Sequence, residues 1–193
     1  LIAAPYAAML LADLGARVVK VEPPEGDLSR GFGPHQDGES AFFMAVNRGK
    51  ESLALDTKDW LSKRVLDNLI RKADVLIHNL RHGAIERLGF GASRSHELNP
   101  TLIYASISGY GQTGPSAELP AYAPVIHAAS GYEMAHLAYQ PGRTRPDYCG
   151  IYHADVLTGV YAFGAISAAL YQRASTGQGQ HIDLSQAEAS LQF

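Results

Sequence analysis

One carboxylate, Asp155, stands where it could carry covalent chemistry. It directly precedes the longest helical pattern of the chain, over residues 156–174. An Asp at that position can cap free amide groups, and the helix dipole favours its ionised form. An ionised carboxylate at the start of a helix can also attack an acyl group. The residues alone therefore leave two interpretations of Asp155 open, a plain N-cap and a nucleophile.

The helix after Asp155 is unusually rich in small residues, which allow another element or a ligand to approach it closely. They are Gly159, Ala162, Gly164, Ala165, Ala168 and Ala169. This feature adds some weight to the nucleophile interpretation, but it leaves the plain N-cap open and does not identify a substrate.

A glycine-rich segment, GYGQTG at 109–114, has the spacing of a dinucleotide-binding turn and follows a predicted strand. Such a site needs its last glycine inside the first turn of a helix, so that amide groups face the pyrophosphate. Here Pro115 follows, and the next residues carry two more prolines. The pattern favours a flexible turn at the carboxyl end of a strand over a nucleotide-binding module.

Eight histidines raise the question of a metal site. His78 and His82 are four residues apart, but they straddle a predicted strand end and do not share a helix face. The chain has neither a cysteine pair nor a His-Glu-x-x-His pattern to support them, so we expect no metal. It also lacks the Gly-x-Ser-x-Gly turn of many serine hydrolases.

Composition narrows the class of protein further. Of the 193 residues, 46% are hydrophobic and 18% charged, which suffices for one folded domain or part of a larger one. Sixteen basic against 19 acidic residues provide no basic face for nucleic acid. A single cysteine, Cys149, indicates a reducing compartment such as the cytoplasm. We expect no membrane span, and the apolar first and last segments predict a piece of a longer protein.

Predicted strands and helices alternate along the chain. The strands are 17–22, 52–56, 74–78, 101–106 and 181–184, and the main helices are 7–14, 58–73, 121–131 and 156–174. Short helices are predicted at 84–88 and 93–98, and a last one from Gln186, whereas residues 25–50 read as loop. Alternation of this kind predicts an α/β fold, a Rossmann-like parallel sheet with helices on both faces.

Several blocks of sequence match one family in the right order. They are PYAAMLLADLGARVVKVEPPEGDLSRGFGP, NRGKESLALDTK, ADVLIHNLRHGAIERLGFG, NPTLIYASISGYGQTGP and ADVLTGVYAFGAISAALYQRASTGQGQHIDLSQAEA. In these blocks the chain resembles the class III (CaiB/BaiF-type) coenzyme A-transferases, a family that includes formyl-CoA and carnitine CoA-transferases and the α-methylacyl-CoA racemases.

The resemblance implies how the chain is organised. Residues 1–193 correspond to the amino-terminal half, the CoA-binding and catalytic large domain, without its first strand and without the second half that carries a smaller domain. The family forms interlocked homodimers, so a homodimer is expected of the complete protein and the isolated chain is expected to be inactive.

The resemblance places the family's catalytic carboxylate on Asp155. It implies that Asp155 attacks an acyl-CoA thioester, forms an aspartyl-CoA thioester, and then activates a small carboxylic acid acceptor. CoA enters as part of the substrate, and no separate cofactor or metal is needed. A carboxylate is a weak nucleophile, so the enzyme must hold it close and dry.

The family's CoA-contacting positions also have counterparts here. They are Arg30, Leu55, Lys58, Asn79, Leu80 and Arg87. Phosphate groups favour the cations among them, and Leu55 would lie beside the adenine. Two residues depart from the pattern, because Leu80 replaces the usual Phe and His82 the usual Pro. Stacking and loop rigidity at that point are therefore in question.

The racemase branch of the family is the alternative, and it moves an α-proton with a His before a Ser/Thr-Gly pair. Counted back from Ser130, that position is Tyr122, and His127 lies five residues too late. A tyrosine is a poor base at neutral pH, so the sequence favours a transferase. His127 is interpreted as a residue that packs within a helix.

Overall fold

The structure is a computed structural model that describes residues 1–147 and 150–191. Cys149, on which the compartment prediction depends, lies outside the described residues. Within them the strands are β1 (Val18–Glu22), β2 (His35–Gln36), β3 (Glu39–Ser40), β4 (Lys50–Ala54), β5 (Val75–His78), β6 (Ile103–Ser108) and β7 (Gln180–Ser185). The helices are α1 (Ala3–Asp13), α2 (Ala41–Asn47), α3 (Trp60–Lys72), α4 (Ala84–Leu88), α5 (Ala92–Leu98), α6 (Ala123–Ala129), α7 (Tyr132–Leu137), α8 (His153–Thr176) and α9 (Gln186–Ser190).

The strands form two parallel sheets and one short hairpin. Strands β1 and β4 form one parallel pair, and strands β5, β6 and β7 form a parallel sheet in that order. Strands β2 and β3 form the antiparallel hairpin. In the three-stranded sheet, Ser106 of the central strand lies between His78 and Asp183. The predicted parallel α/β architecture is confirmed, although its strands hydrogen-bond as two separate sheets.

Helices cover both faces of the three-stranded sheet. All six residues of β6 are buried, and their side chains alternate between the two faces of the sheet. Ile103, Ala105 and Ile107 pack toward α1 and α8, where they meet small residues of both helices. Tyr104 points to the opposite face, among the side chains of α3, α4 and α5.

Helices α1 and α8 approach each other very closely at Gly159. A β-carbon on Gly159 would stand 3.0 Å from both the carbonyl oxygen of Ala3 and the ring of Tyr6. Gly164, one and a half turns further along α8, faces open space, and a β-carbon there would meet nothing within 4 Å. Of the small residues singled out above, Gly159 is thus explained by packing against α1.

Helix α8 begins earlier than the sequence pattern predicts. It starts at His153, Tyr152 precedes it, and Asp155 is its third residue. The expectation that Asp155 is the N-cap is therefore wrong. The reason is a contact the sequence does not reveal, because the backbone N–H of Ala154 is bound by the ring of His127, a side chain remote in sequence.

Two other segments also differ from the sequence prediction. Helix α1 starts at Ala3 and includes Pro5, which fits the first turn because that turn needs no donor there. Residues 25–50, predicted as loop, hold a 3-10 turn (Leu28–Gly31), the β2–β3 hairpin and α2. Ser40 caps α2 by accepting a hydrogen bond from the Phe43 backbone at 3.1 Å.

Helix α8 is the segment to weigh against the expectation of no membrane span. Among the described residues it is the one helix long and apolar enough to cross a membrane by length and composition. Its contacts are those of a helix within a folded core, since it packs against α1, the three-stranded sheet and α9. Length and apolarity alone are therefore weak support for a membrane helix here.

The two glycines of α8 provide a matched test of this packing. We expect Gly159→Val to lower the free energy of unfolding by about 1–3 kcal/mol, because the added methyl groups overlap Ala3 and Tyr6. Gly164→Val faces open space and should change it by less than about 0.5 kcal/mol. Urea unfolding of both variants measures the difference, and equal effects would contradict the close α1–α8 approach.

Candidate active site

The carboxylate of Asp155 lies where three helices begin. It belongs to the first turn of α8, and its Oδ1 accepts a 2.7 Å hydrogen bond from the side-chain amide of Gln186, the first residue of α9. The backbone N–H of Ala3, the first residue of α1, also donates to it. Helix starts present free amide groups and a positive dipole end, so this arrangement suits an anion.

Burial nevertheless dominates the ionisation of Asp155. Loss of solvent raises the pKa of its carboxyl above the usual value, and the bonds from Gln186 and Ala3 only partly offset this effect. The expectation that the helix start favours the ionised form thus describes one contribution but not the net direction. A carboxylate made more basic in this way is also a better nucleophile.

The first turn of α1 is held in place from its other side by Lys50. The Lys50 ammonium donates to the carbonyl oxygens of Pro5 and Val46, both at 2.7 Å, and to Oδ1 of Asn47 at 2.9 Å. Burial lowers the pKa of Lys50 to about 7. This clamp ties α1 to α2 and β4, and so fixes the helix start that donates to Asp155.

Arg30 is held rigidly by a buried acidic residue. Its guanidinium donates to both carboxylate oxygens of Glu22, at 2.9 and 2.7 Å, and lies 3.9 Å from the ring centre of Phe43. These bonds hold the pKa of the Glu22 carboxyl down to about 2, even though its burial opposes ionisation. Arg30 keeps 38% of its side chain exposed, so part of the guanidinium still faces solvent.

Leu55 and Lys58 follow β4, and Leu55 contacts the backbone of Glu22. The backbone N–H of Leu55 donates to the carbonyl oxygen of Glu22 at 2.9 Å, which continues the β1–β4 pairing past its last residue. Lys58 is exposed just before α3, and within the described residues its ammonium has no ion-pair partner. The structure thus brings Arg30 and Leu55 together at the carboxyl end of the first sheet, with a free cation beyond them.

The other three predicted contacts follow β5. Asn79 uses its side-chain amide to donate to the carbonyl oxygen of Ile107 at 2.8 Å, which joins the ends of β5 and β6. Leu80 is 40% exposed, and Arg87 is exposed on α4. Asn79 therefore has a structural role, whereas Leu80 and Arg87 present surface that a ligand can reach.

The glycine-rich segment is a turn rather than a helix start. Gly111 and Gly114 have positive φ angles of 87° and 93°, and the next helix does not begin until Ala123. Gly109 packs against Ala121, where a β-carbon would come within 2.3 Å of that side chain. The segment therefore lacks the helix N-terminus that a dinucleotide pyrophosphate needs.

The described residues contain no group of three or more His, Cys, Asp or Glu that could hold a metal ion. His78 is buried and bound to Ser106 at 3.0 Å, and burial lowers its pKa to about 4.

Tyr122, at the position the racemase branch would use, is 64% exposed and precedes α6. His127 is buried within α6, as predicted from the sequence.

Three residues of this site escape sequence reasoning. Gln186 meets Asp155 from 31 positions away, Glu22 holds Arg30, and Lys50 clamps α1. Their spacing carries no periodic signal, because each contact joins separate elements brought together only by the fold. In the sequence, the Glu22 position offers one hint, an acidic residue directly before a Gly- and Pro-rich turn.

Comparison with known proteins places this geometry in context. The sequence profile of CoA-transferase family III matches residues 1–193. The chain is 45% identical over 190 residues to an acetyl-CoA:oxalate CoA-transferase of Acetobacter aceti, covering 98% of this chain and 48% of that protein. It is 41% identical over 184 residues to the human succinyl-CoA:glutarate CoA-transferase, covering 94% of this chain and 41% of that protein.

A solved structure agrees with these matches. A CaiB/BaiF family protein from Brucella suis superposes with a TM-score of 0.92 and 39% identity, covering 99% of this chain and 51% of that chain. The chain spans about half the length of the curated relatives it matches.

The buried carboxyl predicts a pH dependence of stability. Because the folded-state pKa of Asp155 is raised, its stabilising contribution is present at low pH and is lost as the pH rises through that pKa. Asp155→Asn removes this titration, so the variant should gain stability relative to the wild type as the pH rises from 4 to 7. Thermal unfolding across this range measures the difference in Tm, and a variant that loses stability relative to the wild type as the pH rises would contradict the raised pKa.

Proposed function

The chain belongs to CoA-transferase family III, and we propose that it forms the CoA-binding and catalytic half of an enzyme that moves CoA from an acyl-CoA to a carboxylic acid. The observation that carries this proposal is the half-buried, hydrogen-bonded carboxylate of Asp155 at the start of α8. Residues 1–193 correspond to the large domain in this proposal, and activity requires the second half that the relatives also contain.

The reaction begins with attack by Asp155 on the thioester carbonyl. A C–O bond forms between Asp155 and the acyl carbon, and the C–S bond breaks. The products of this step are an acyl-aspartyl anhydride and the free CoA thiolate. The thiolate then attacks the aspartyl carbonyl carbon, which releases the donor as a carboxylate and leaves an aspartyl-CoA thioester. The acceptor carboxylate repeats both steps in reverse, and Asp155 is regenerated as a carboxylate.

The residues around Asp155 assist this sequence without taking part in bond formation. The Gln186 amide holds Oδ1 at 2.7 Å and so fixes the direction of the carboxylate. The amide groups at the starts of α1 and α8 lie near the negative charge that develops on the attacked carbonyl. Partial burial of Asp155 limits the access of water, which would hydrolyse the anhydride or the thioester.

CoA is proposed to lie along the carboxyl ends of β1, β4 and β5. The cations of Lys58 and Arg87 are exposed and suit the phosphate groups. Arg30 contributes through the part of its guanidinium that Glu22 and Phe43 leave open. Leu55 and Leu80 provide apolar surface for the adenine and the pantetheine arm.

The relatives guide the choice of substrates to test. Proteins similar to this chain are named for acetyl-CoA with oxalate and for succinyl-CoA with glutarate. We therefore propose that a small carboxylic acid is the acceptor, and dicarboxylic acids are the first to assay. We also propose that the complete protein is a soluble cytoplasmic homodimer.

The alternative, an acyl-CoA racemase, has no support from the site geometry. Tyr122 is largely exposed, and the Nε2 atom of His127 already accepts a backbone hydrogen bond. Exchange of the substrate α-hydrogen with deuterated water would distinguish the two reactions, because proton removal at the α-carbon is essential only to a racemase.

Replacing the nucleophile tests the proposal directly. In the complete protein we expect Asp155→Asn to reduce transfer of CoA from acetyl-CoA or succinyl-CoA to a dicarboxylic acid by at least about 1,000-fold, because an amide cannot form the anhydride. Binding of CoA, measured by calorimetry, should change by less than about threefold. Transfer at the wild-type rate in this variant would reject Asp155 as the nucleophile.

Lys58, the exposed cation that follows β4, gives a second test of the proposal. Lys63, on the nearby helix α3, is its matched control. Lys58→Met should raise the KM for acyl-CoA by about three- to tenfold and weaken its salt dependence, because one phosphate contact is lost. Lys63→Met removes an equally exposed lysine on α3 and should leave KM unchanged. Identical KM values for the two variants would place CoA elsewhere.

A further inference from the structure

The first turn of α8 is held by a side chain from another helix. Tyr152, which precedes α8, makes no side-chain cap, and the backbone N–H of Ala154 donates instead to Nε2 of His127 at 3.1 Å. His127 lies on α6 and is 1% exposed. The His127 ring therefore replaces the usual local cap, and the residue it binds, Ala154, directly precedes Asp155 in sequence.

This bond fixes the protonation state of the ring. A ring nitrogen that accepts from an amide carries no proton, so neutral His127 bears its hydrogen on Nδ1. The Nδ1 atom faces Oε1 of Glu133 on α7 at 3.7 Å, and it has no hydrogen-bond partner among the described residues. The rings of Tyr132 and His153 lie beside the His127 ring, with distances of 5.2 and 6.0 Å between ring centres.

The first turn of α8 is packed against α6 and also borders a cavity. Ala154 is fully buried and packs with Ala123 and Ile126 of α6. The cavity has a volume of about 200 Å³, and its lining includes His127 of α6 and His153 and Leu157 of α8. The hydrogen bond from Ala154 to His127 therefore adds a directional contact to this packing.

We infer that His127 is a positioning residue, which fixes the first turn of α8 by accepting the Ala154 amide hydrogen and so sets the direction of the Asp155 carboxylate. This inference rests on the proposed function, because its consequence is the rate of transfer. The Ala154 N–H belongs to the peptide unit directly before that of Asp155, so a shift of this amide moves Asp155 relative to Gln186 and Ala3.

The inference has a defined pH dependence. Protonation would convert Nε2 from an acceptor to a donor. Two donors, Nε2–H and the Ala154 N–H, would then face each other, and the hydrogen bond would be lost. Burial lowers the pKa of His127, while Glu133 opposes this shift and His153 adds to it. The bond is therefore present at neutral pH, and its contribution to stability and to rate is lost as the pH falls through that lowered pKa.

Two substitutions separate positioning from packing. In the complete protein, His127→Leu fills similar space without an acceptor, and it should lower kcat by about 10–100-fold with KM for acyl-CoA unchanged. His127→Gln offers an amide oxygen, so it should recover most of kcat and remove the loss of rate that His127 protonation causes at acid pH. Hydrogen exchange at the Ala154 amide should be slow in the wild type and the Gln variant and fast in the Leu variant.

His96 provides the matched control. Its Nε2 also bonds a backbone group, the carbonyl oxygen of Leu102 at 3.0 Å, but it lies before the amino end of β6, away from Asp155. His96→Leu should leave kcat unchanged. Wild-type kcat in His127→Leu, a Gln variant as slow as the Leu variant, or an equal loss in His96→Leu would each overturn the inference. A wild-type protein that transfers no CoA would instead reject the proposed function.

Discussion

The partial removal of one carboxylate from water is the constraint on which this structure depends. In the proposed reaction Asp155 attacks a thioester and needs this loss of solvent, yet a charge removed from water is costly to maintain. The fold resolves the conflict by converging the starts of α1, α8 and α9 on it. Backbone amides and the Gln186 side chain then supply the hydrogen bonds that water would have made.

That convergence explains features which otherwise look unrelated. Gly159 lets α1 lie directly against α8, Lys50 clamps the first turn of α1, and His127 binds the first turn of α8. Each of these contacts positions a helix start rather than touching a reacting atom. The raised pKa of Asp155 reflects the energetic cost of removing this carboxylate from solvent.

The sequence predicts the architecture well and the site only in part. Alternating strands and helices predict the parallel α/β fold, because hydrophobic periodicity is local and survives in the sequence. The sequence pattern singles out Asp155 as a carboxylate at the start of a small-sided helix, and its role as a nucleophile stays a prediction. Its N-cap role is wrong, because the real partner of the helix start is His127, which approaches from α6. The same limit applies to Gln186 and Glu22, whose contacts exist only once distant segments have packed together.

Trapping the covalent intermediate tests the central claim most directly. The complete protein is incubated with an acyl-CoA and then treated with hydroxylamine, which converts an aspartyl anhydride or thioester to a hydroxamate that peptide mass spectrometry can locate. The account predicts a hydroxamate on the peptide containing Asp155, formed only when acyl-CoA is present. Active enzyme that yields no modified aspartate, or a modification on a different carboxylate, would contradict it.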